Sequence, residues 1–452
     1  MIFEKKTIRY YYWLVIEFVK KHFKVLLFSF FLTFVFILLT VSLSPIFYRH
    51  FFVSKKEVIG ILGEYNINNL PEEITEKISN GLVYINQGQV TPLLASFWEV
   101  KDEGRRFRFH LKNDLLWNDG KEFSSYDINF YFKDVEVKII DKKTIDFYLK
   151  MPSAIFPFLL AKPLIRYPLV GVGGLYRVSR IKKKYEIINE LVLYPNKKGL
   201  PILVYKFYPT ESKLVAAYKL GEVKEIKVYK KSLADGFKRW QNTKVERTVD
   251  YSQLMMLLVN HQNGFLKEKE IKNALTMAIP PEFFRDLGEP ALGPIPPSSW
   301  AYNPILKQNP YNEEIAAKII KKTLPKNSLF SLYASYDYYL VATSLKNYFE
   351  KVGLPIKIKI FSYQKPKDFD FLLAFLKLAN DPDQYLLWHS TQLNANFLNY
   401  KNVKVDKLLE EGRETFNVEK RKKIYQEYQK VIVDNPPGLF LYYPYVYVIK
   451  RK

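Results

Sequence analysis

The chain contains no cysteine. That absence excludes disulfides, thiolate metal sites, a cysteine nucleophile and a cysteine-borne lipid anchor. Histidine is scarce: His22, His50, His110, His261 and His389 stand apart, and none makes a metal spacing such as H-x-x-x-H. No G-x-S-x-G elbow occurs. Carboxylate pairs such as Asp381/Asp383 lie in a turn rich in Asn, Asp and Pro, where they ordinarily serve the backbone. No cofactor or metal is expected, and binding is favoured over catalysis. Acidic residues are also short in supply, 46 against 69 Lys and Arg, for a net charge of +23. Nucleic acid is the first partner such a balance suggests. The lysines are scattered, however, often as pairs at turns (Lys142-Lys143, Lys197-Lys198, Lys230-Lys231), without a recognition motif or an arginine stripe. A solvated basic surface, or one facing anionic lipid, fits better.

Long apolar runs are limited to one. Val25 to Ser44 carries no charge, and at about 1.5 Å per residue such a helix spans roughly 30 Å, one hydrocarbon thickness. Lys5, Lys6, Arg9, Lys20, Lys21 and Lys24 precede it, so the positive-inside rule keeps residues 1–24 cytoplasmic and exports the rest. The run is long for a signal-peptide core, and Val41-Ser42-Leu43-Ser44 is a poor cleavage site, which favours an uncleaved anchor over residues 25–45. With no second such segment, a channel or polytopic permease is not expected.

The remaining chain is long enough for a large core and two or three domains. Its most informative stretch is 92–130. Phe107, Phe109 and Leu111 alternate with Arg108 and His110, the period of a half-buried strand. Asp102-Glu103-Gly104 and Asp119-Gly120 are turn signals. Ser124 can cap a following helix, with Asp127 in its first turn. Elsewhere, a strand is expected at 58–62, helices at 71–80 and 211–220 (the latter closed by Gly221), and an apolar strand at Leu254–Val259. A helix over 269–279 is stopped by Pro280-Pro281. A helix at 312–323 carries Ile315, Ile319 and Ile320 on one face. Strand–helix–strand alternation follows through 328–361. A phosphate loop at Gly171–Gly174 is disfavoured, because no Gly-Lys-Ser/Thr follows.

Several of these motifs, in this order, resemble the family 5 extracellular solute-binding proteins, the oligopeptide-, dipeptide- and nickel-binding subunits of ABC importers. The resemblance rests on Pro92-Leu93-Leu94-Ala95 with Trp98, on the Phe107–Leu111 strand, and on Trp117-Asn118-Asp119-Gly120-Lys121 before Asp127-Ile128. It extends through the Val135–Asp141 and Thr144–Leu149 hairpin, Gly171–Val178, Leu193-Tyr194-Pro195-Asn196, Asp368–Leu373, Asn380-Asp381-Pro382-Asp383 and Pro436–Tyr442. It covers nearly all of 55–452.

The resemblance implies an α/β fold, a two-lobed periplasmic-binding-protein-like structure of the three-domain peptide-binding type (class II), preceded by one N-terminal transmembrane helix. Lobe one would comprise 54–84, 166–250 and 430–452, with a small inserted subdomain at 85–165 and lobe two at 251–429. The subdomain is trimmed, because little helix fits between Lys133 and Val135. The expected function is a membrane-tethered extracytoplasmic binder, a monomer, that delivers peptides or a related small solute to an ABC transporter permease by lobe closure. The alternative is a non-transport receptor or chaperone-like binder on the same scaffold. Ligand-wall candidates are Tyr65, Asn260, His261, Tyr385, Trp388, Asn399 and Tyr400. One departure stands out. Peptide-binding members place an Asp, which pairs with the peptide amine, where this chain has Leu378. An apolar side chain cannot compensate a desolvated ammonium.

Overall fold

A computed structural model describes residues 2–51, 55–86, 88–362, 366, 368–392 and 397–452. Two compact units are distinct: residues 1–56 with 199–202, and the remainder. The first is dominated by helix α1 (Ile2–Phe51), whose Arg9–Leu38 stretch is long and apolar enough to cross a membrane. The basic segment and the apolar run are thus one continuous helix.

In the second unit, strand β1 (Lys56–Leu62) leads to helix α2 (Glu72–Ile78). The chain then leaves for the inserted subdomain. A hairpin of β2 (Val83–Asn86) and β3 (Gln89–Pro92) precedes β4 (Ala95–Lys101), β5 (Arg106–Leu111), β6 (Val135–Asp141) and β7 (Thr144–Leu149), which form a sheet in the order β4-β5-β7-β6. The alternation read in β5 is real: Phe107, Phe109 and Leu111 are buried, while Arg108 on the other face forms a two-pronged bond to Asp146 of β7 at 2.7 Å. Ser124 does cap, reciprocally with Asp127, but it opens only a single 3-10 turn, Ser125–Asp127. The expected helix is absent, because Phe130 and Phe132 turn back to pack on the sheet and β6 begins at Val135. A short helix α3 (Phe156–Leu159) and a two-residue pair, β8 (Ile165–Arg166) with β9 (Val170–Gly171), close the insertion.

Strands β10 (Tyr176–Lys184), β11 (Ile187–Pro195), β12 (Ile202–Tyr208) and β13 (Glu225–Val228) join β1 in lobe one. Helix α4 (Glu211–Leu220) sits between the last two. Thr210 accepts from the Lys213 N–H at its start, and Gly221, at φ +80°, ends it where a side chain would be strained. After α5 (Lys231–Asp235), strand β14 (Thr243–Val249) runs into β15 (Gln253–Val259) through the turn Asp250–Ser252. That turn is where the family resemblance sets the first crossing between lobes. Asp250 pins it, accepting from the Ser252 N–H at 3.0 Å and the Gln253 side chain at 2.8 Å.

The region that the family resemblance sets in and around lobe two contains α6 (Lys269–Met277), ended by Pro280-Pro281, and β16 (Gly288–Pro290). It continues with α7 (Glu313–Thr323), β17 (Phe330–Ser335), α8 (Tyr339–Lys351), β18 (Ile356–Phe361), β19 (Phe371–Lys377), α9 (Tyr385–Trp388), α10 (Val403–Glu414) and α11 (Val418–Asp434). Strands β17 and β18 are parallel around α8, the expected βαβ unit. On α7, Ile320 is buried and Ile319 packs beside it, but Ile315 points to solvent.

Strand β15 shows why an unbroken apolar run reads as a central strand. Met255, Leu257 and Val259 enter a core shared with α6, α7 and α8. Leu254, Met256 and Leu258 enter a second core, on the opposite face, shared with α10 and α11. The last strand, β20 (Gly438–Arg451), is the second crossing. Its start pairs with β15, and its end lies between β13 and β14, so both lobes hang on one backbone.

Candidate functional site

A cleft of about 1410 Å³ opens where these parts meet. Lobe one supplies the segment after β1 and one face of α2. The subdomain and its borders supply β2, the 129–132 segment and lining residues between Phe158 and Leu169. Lobe two supplies Lys377 to Asp381, and the first crossing contributes Ser252. A space of this size is ample for a small ligand.

The subdomain touches lobe two beyond the cleft. The Ala154 N–H of the subdomain donates to the Arg413 carbonyl of α10 at 2.6 Å. Phe416, between α10 and α11, lies against Gly104 and stacks on Phe107 at 6.3 Å between ring centroids. The Arg421 guanidinium lies 5.5 Å from the Phe158 ring centroid.

The lobe-two rim is held by charge turned inward. Asp381 accepts two bonds from Arg421, both 2.7 Å, and burial nevertheless pushes its carboxyl above the ordinary range. Asp383 accepts from Arg413 at 2.7 Å, and that guanidinium stacks 4.0 Å from the Tyr385 ring centroid. Both carboxylates are already paired inside the protein. Leu378, at the position that carries the ammonium-pairing Asp in the family resembled, is only 7% exposed. It belongs to the core beneath the rim, with its N–H donated to the Ser252 carbonyl at 2.8 Å.

Of the seven wall candidates from sequence, the structure brings Tyr65 alone into the cleft lining. Its hydroxyl donates to the Leu62 carbonyl at 2.9 Å, and its ring lies 5.4 Å from that of Phe207. Burial, with Glu73 nearby, raises its pKa. The other six lie elsewhere, each for a structural reason. Asn260 donates to the Phe369 carbonyl at 3.0 Å and accepts from the Gln262 N–H, closing the turn after β15. His261 packs edge-on against Tyr400. Burial, then Lys272, lowers its pKa to about 4, so it is neutral at pH 7. Tyr400 is buried and donates to the Asn435 carbonyl at 2.9 Å. Trp388 is a core residue whose indole N–H donates to Gln384 at 2.9 Å. Tyr385 lies between Arg413 and His389. Asn399 is exposed, just after the turn at 397–398, at φ +58°. Among the described residues, no group of three or more His, Asp or Glu side chains could hold a metal ion.

The cleft is lined instead by groups the sequence did not single out. Tyr131 is 90% exposed, although Phe130 and Phe132 on either side of it are packed inward. Tyr84 and Tyr167 are likewise exposed residues of the cleft lining. On α2, Glu72 and Glu76 face the opening. An aromatic triplet replacing an expected helix was the available signal for Tyr131; nothing local marks Glu76.

A model of the family described as bacterial extracellular solute-binding proteins, family 5 Middle, matches residues 89–397. Di/tripeptide-binding protein 1 of Pseudomonas aeruginosa (strain UCBPP-PA14) is 23% identical over 461 residues, covering 83% of this chain and 85% of its own. Among solved structures, NikZ from Campylobacter jejuni, in complex with Ni(L-His), superposes with a TM-score of 0.73 at 22% identity, over 88% of this chain and 94% of its own. The oligopeptide-binding protein AppA from Bacillus subtilis, in complex with a nonapeptide, gives 0.71 at 20% identity, over 88% and 95%. These structural likenesses establish the fold.

Proposed function

The chain belongs to the family 5 bacterial extracellular solute-binding proteins, and from that premise we propose that it is a membrane-tethered, monomeric receptor that captures short peptides or a related solute and presents them to an ABC transporter permease. The observation that carries this is the cleft itself: about 1410 Å³, bounded by both lobes and the subdomain, with a crossing segment at its edge. Two backbone crossings let one lobe rotate on the other, so ligand contacts to both faces favour closure, and closure is what a permease can recognise. Lobe one is assigned to 54–84, 166–250 and 430–452, the subdomain to 85–165 and lobe two to 251–429. Tyr65 is assigned to the ligand wall. The protein acts by binding, not catalysis.

Helix α1 is the tether, with the lobes outside the cytoplasmic membrane. The cysteine-free chain makes this easy to check, because Tyr336→Cys adds a single thiol at a position 81% exposed. A membrane-impermeant maleimide should label it in intact cells, whereas labelling only after lysis places the lobes inside. For the ligand, the full chain in detergent is examined by native mass spectrometry and by thermal shift against a peptide library. A co-purified peptide, or stabilisation by several degrees, is expected; silence across the library counts against peptides.

A further inference from the structure

The charges in the cleft carry one step more. Five charged side chains line it: Glu72, Glu76, Lys162, Lys377 and Asp381. Lys377 reaches Glu72 at 3.6 Å across the two lobes, and Asp381 is held by Arg421. Glu73, the remaining acid of α2, lies outside the lining and pairs with Lys227 at 2.7 Å. Lys162 is one exposed cation in a chain with a large excess of them, so it distinguishes nothing. Glu76 is different. Among the described residues it has neither an ion-pair partner nor a side-chain hydrogen bond, although it stands one helical turn from Glu72.

Its surroundings favour an incoming cation. Local desolvation beside the cleft wall, then Glu72, pushes the exposed Glu76 carboxyl above the ordinary range, and Lys77, the next residue on the helix, offsets this only in part. A carboxylate so placed is stabilised by a positive group brought to it. The opposite rim offers a ligand cation no free carboxylate, because Asp381 and Asp383 are both held by arginines. The same cleft also exposes tyrosine faces at Tyr84, Tyr131 and Tyr167, which gain from covering apolar or aromatic surface.

We propose that Glu76 is the ammonium anchor of this cleft, so that its ligands are short peptides with a free amino terminus held on lobe one and apolar or aromatic side chains laid against the tyrosine wall. This rests on the peptide-binding function proposed above, and it moves recognition of the amine to the lobe opposite Leu378.

The test is calorimetric titration of the full chain in detergent with the tripeptide Ala-Phe-Leu and its N-acetylated form. A charge-assisted bond at the anchor corresponds to about tenfold to a hundredfold in affinity. Wild type should favour the free amine by that factor. Glu76→Gln should lose affinity for the free peptide and so abolish the preference, while Glu73→Gln should keep it. Thermal unfolding monitors each variant, and Glu76→Ala is a second substitution at this exposed helical position. Equal binding of both peptide forms by wild type, or a preference that survives both Glu76 substitutions, overturns the anchor and leaves the peptide-binding function standing. Failure of wild type to bind either peptide overturns both.

Discussion

The two rims of the cleft use the same kinds of residue in opposite ways. On lobe two, Asp381 and Asp383 are acids in a turn, and each is bonded to an arginine of α10 or α11 at 2.7 Å. On lobe one and the subdomain, Glu76 and Tyr131 stand open to the cleft. Charge neutralised inside the protein fixes a surface; charge left without a partner leaves a surface able to select. On the proposed function, rigidity belongs to the lobe-two rim and recognition to the lobe-one rim, although sequence motifs draw attention first to the former.

Removing the lobe-two lock should have the largest effect. Arg421 and Asp381 are both buried. Arg421→Met fills similar volume but strands a carboxylate, a change that costs about 3–5 kcal/mol in buried pairs. Urea denaturation should show a loss of that order, and a loss below about 1 kcal/mol would mean the rim is not held by this pair. Next comes the contact between subdomain and lobe two. Gly104 has φ +89°, and a Cβ there would lie 2.6 Å from the Phe416 ring. Gly104→Val should cost about 1–3 kcal/mol through strain alone, and displacing Phe416 should expand the molecule in small-angle scattering. An unchanged radius of gyration would show that this contact does not hold the lobes together.

An effect spread over pH, modest at any one pH unit, separates the lobes further. Lys272 of α6 is fully buried, its Nζ donating to Asn435 Oδ1 at 2.7 Å. Burial lowers its pKa to about 7, with Glu268 opposing. The unfolded chain, with an ordinary lysine near 10.4, then binds more protons than the folded one between about pH 7 and 10.4. Stability should therefore rise with pH through that window, by up to about 1.4 kcal/mol per unit. Below pH 7 the destabilisation is fully present. Lys272→Met should flatten this rise; a slope identical to wild type would show that water reaches the amine.

How much of this was legible in the sequence follows from the range of each determinant. β15 was readable because an apolar run with cores on both faces is a local pattern, and Gly221 because helix termination is local. Ser124 was read correctly as a cap, yet the helix it promised is missing because the tertiary packing of Phe130 and Phe132 overrides it. Ile315 followed the helical period but sits beyond the buried stripe. The site was less legible. Trp388 and Tyr131 offer the same chemistry, and only the fold buries the first and exposes the second. That Asp381 is occupied depends on Arg421, forty residues later. That Glu76 faces a cleft depends on residues 377–381 arriving from the other lobe.

The mildest perturbation is the most discriminating for the lobe-one rim. Tyr131 is 90% exposed, so Tyr131→Ala removes almost no packing and should change stability by less than about 0.5 kcal/mol. Tyr185, in the β10–β11 turn and outside the cleft lining, is 89% exposed and serves as its matched control. If Tyr131 covers ligand, burying part of its ring contributes roughly 1 kcal/mol, about fivefold in affinity. Tyr131→Ala should weaken peptide binding by that factor while Tyr185→Ala leaves it unchanged, with equal melting temperatures for both. Equal affinities for the two variants would return the ligand to the lobe-two rim and undo the division of labour between the two faces.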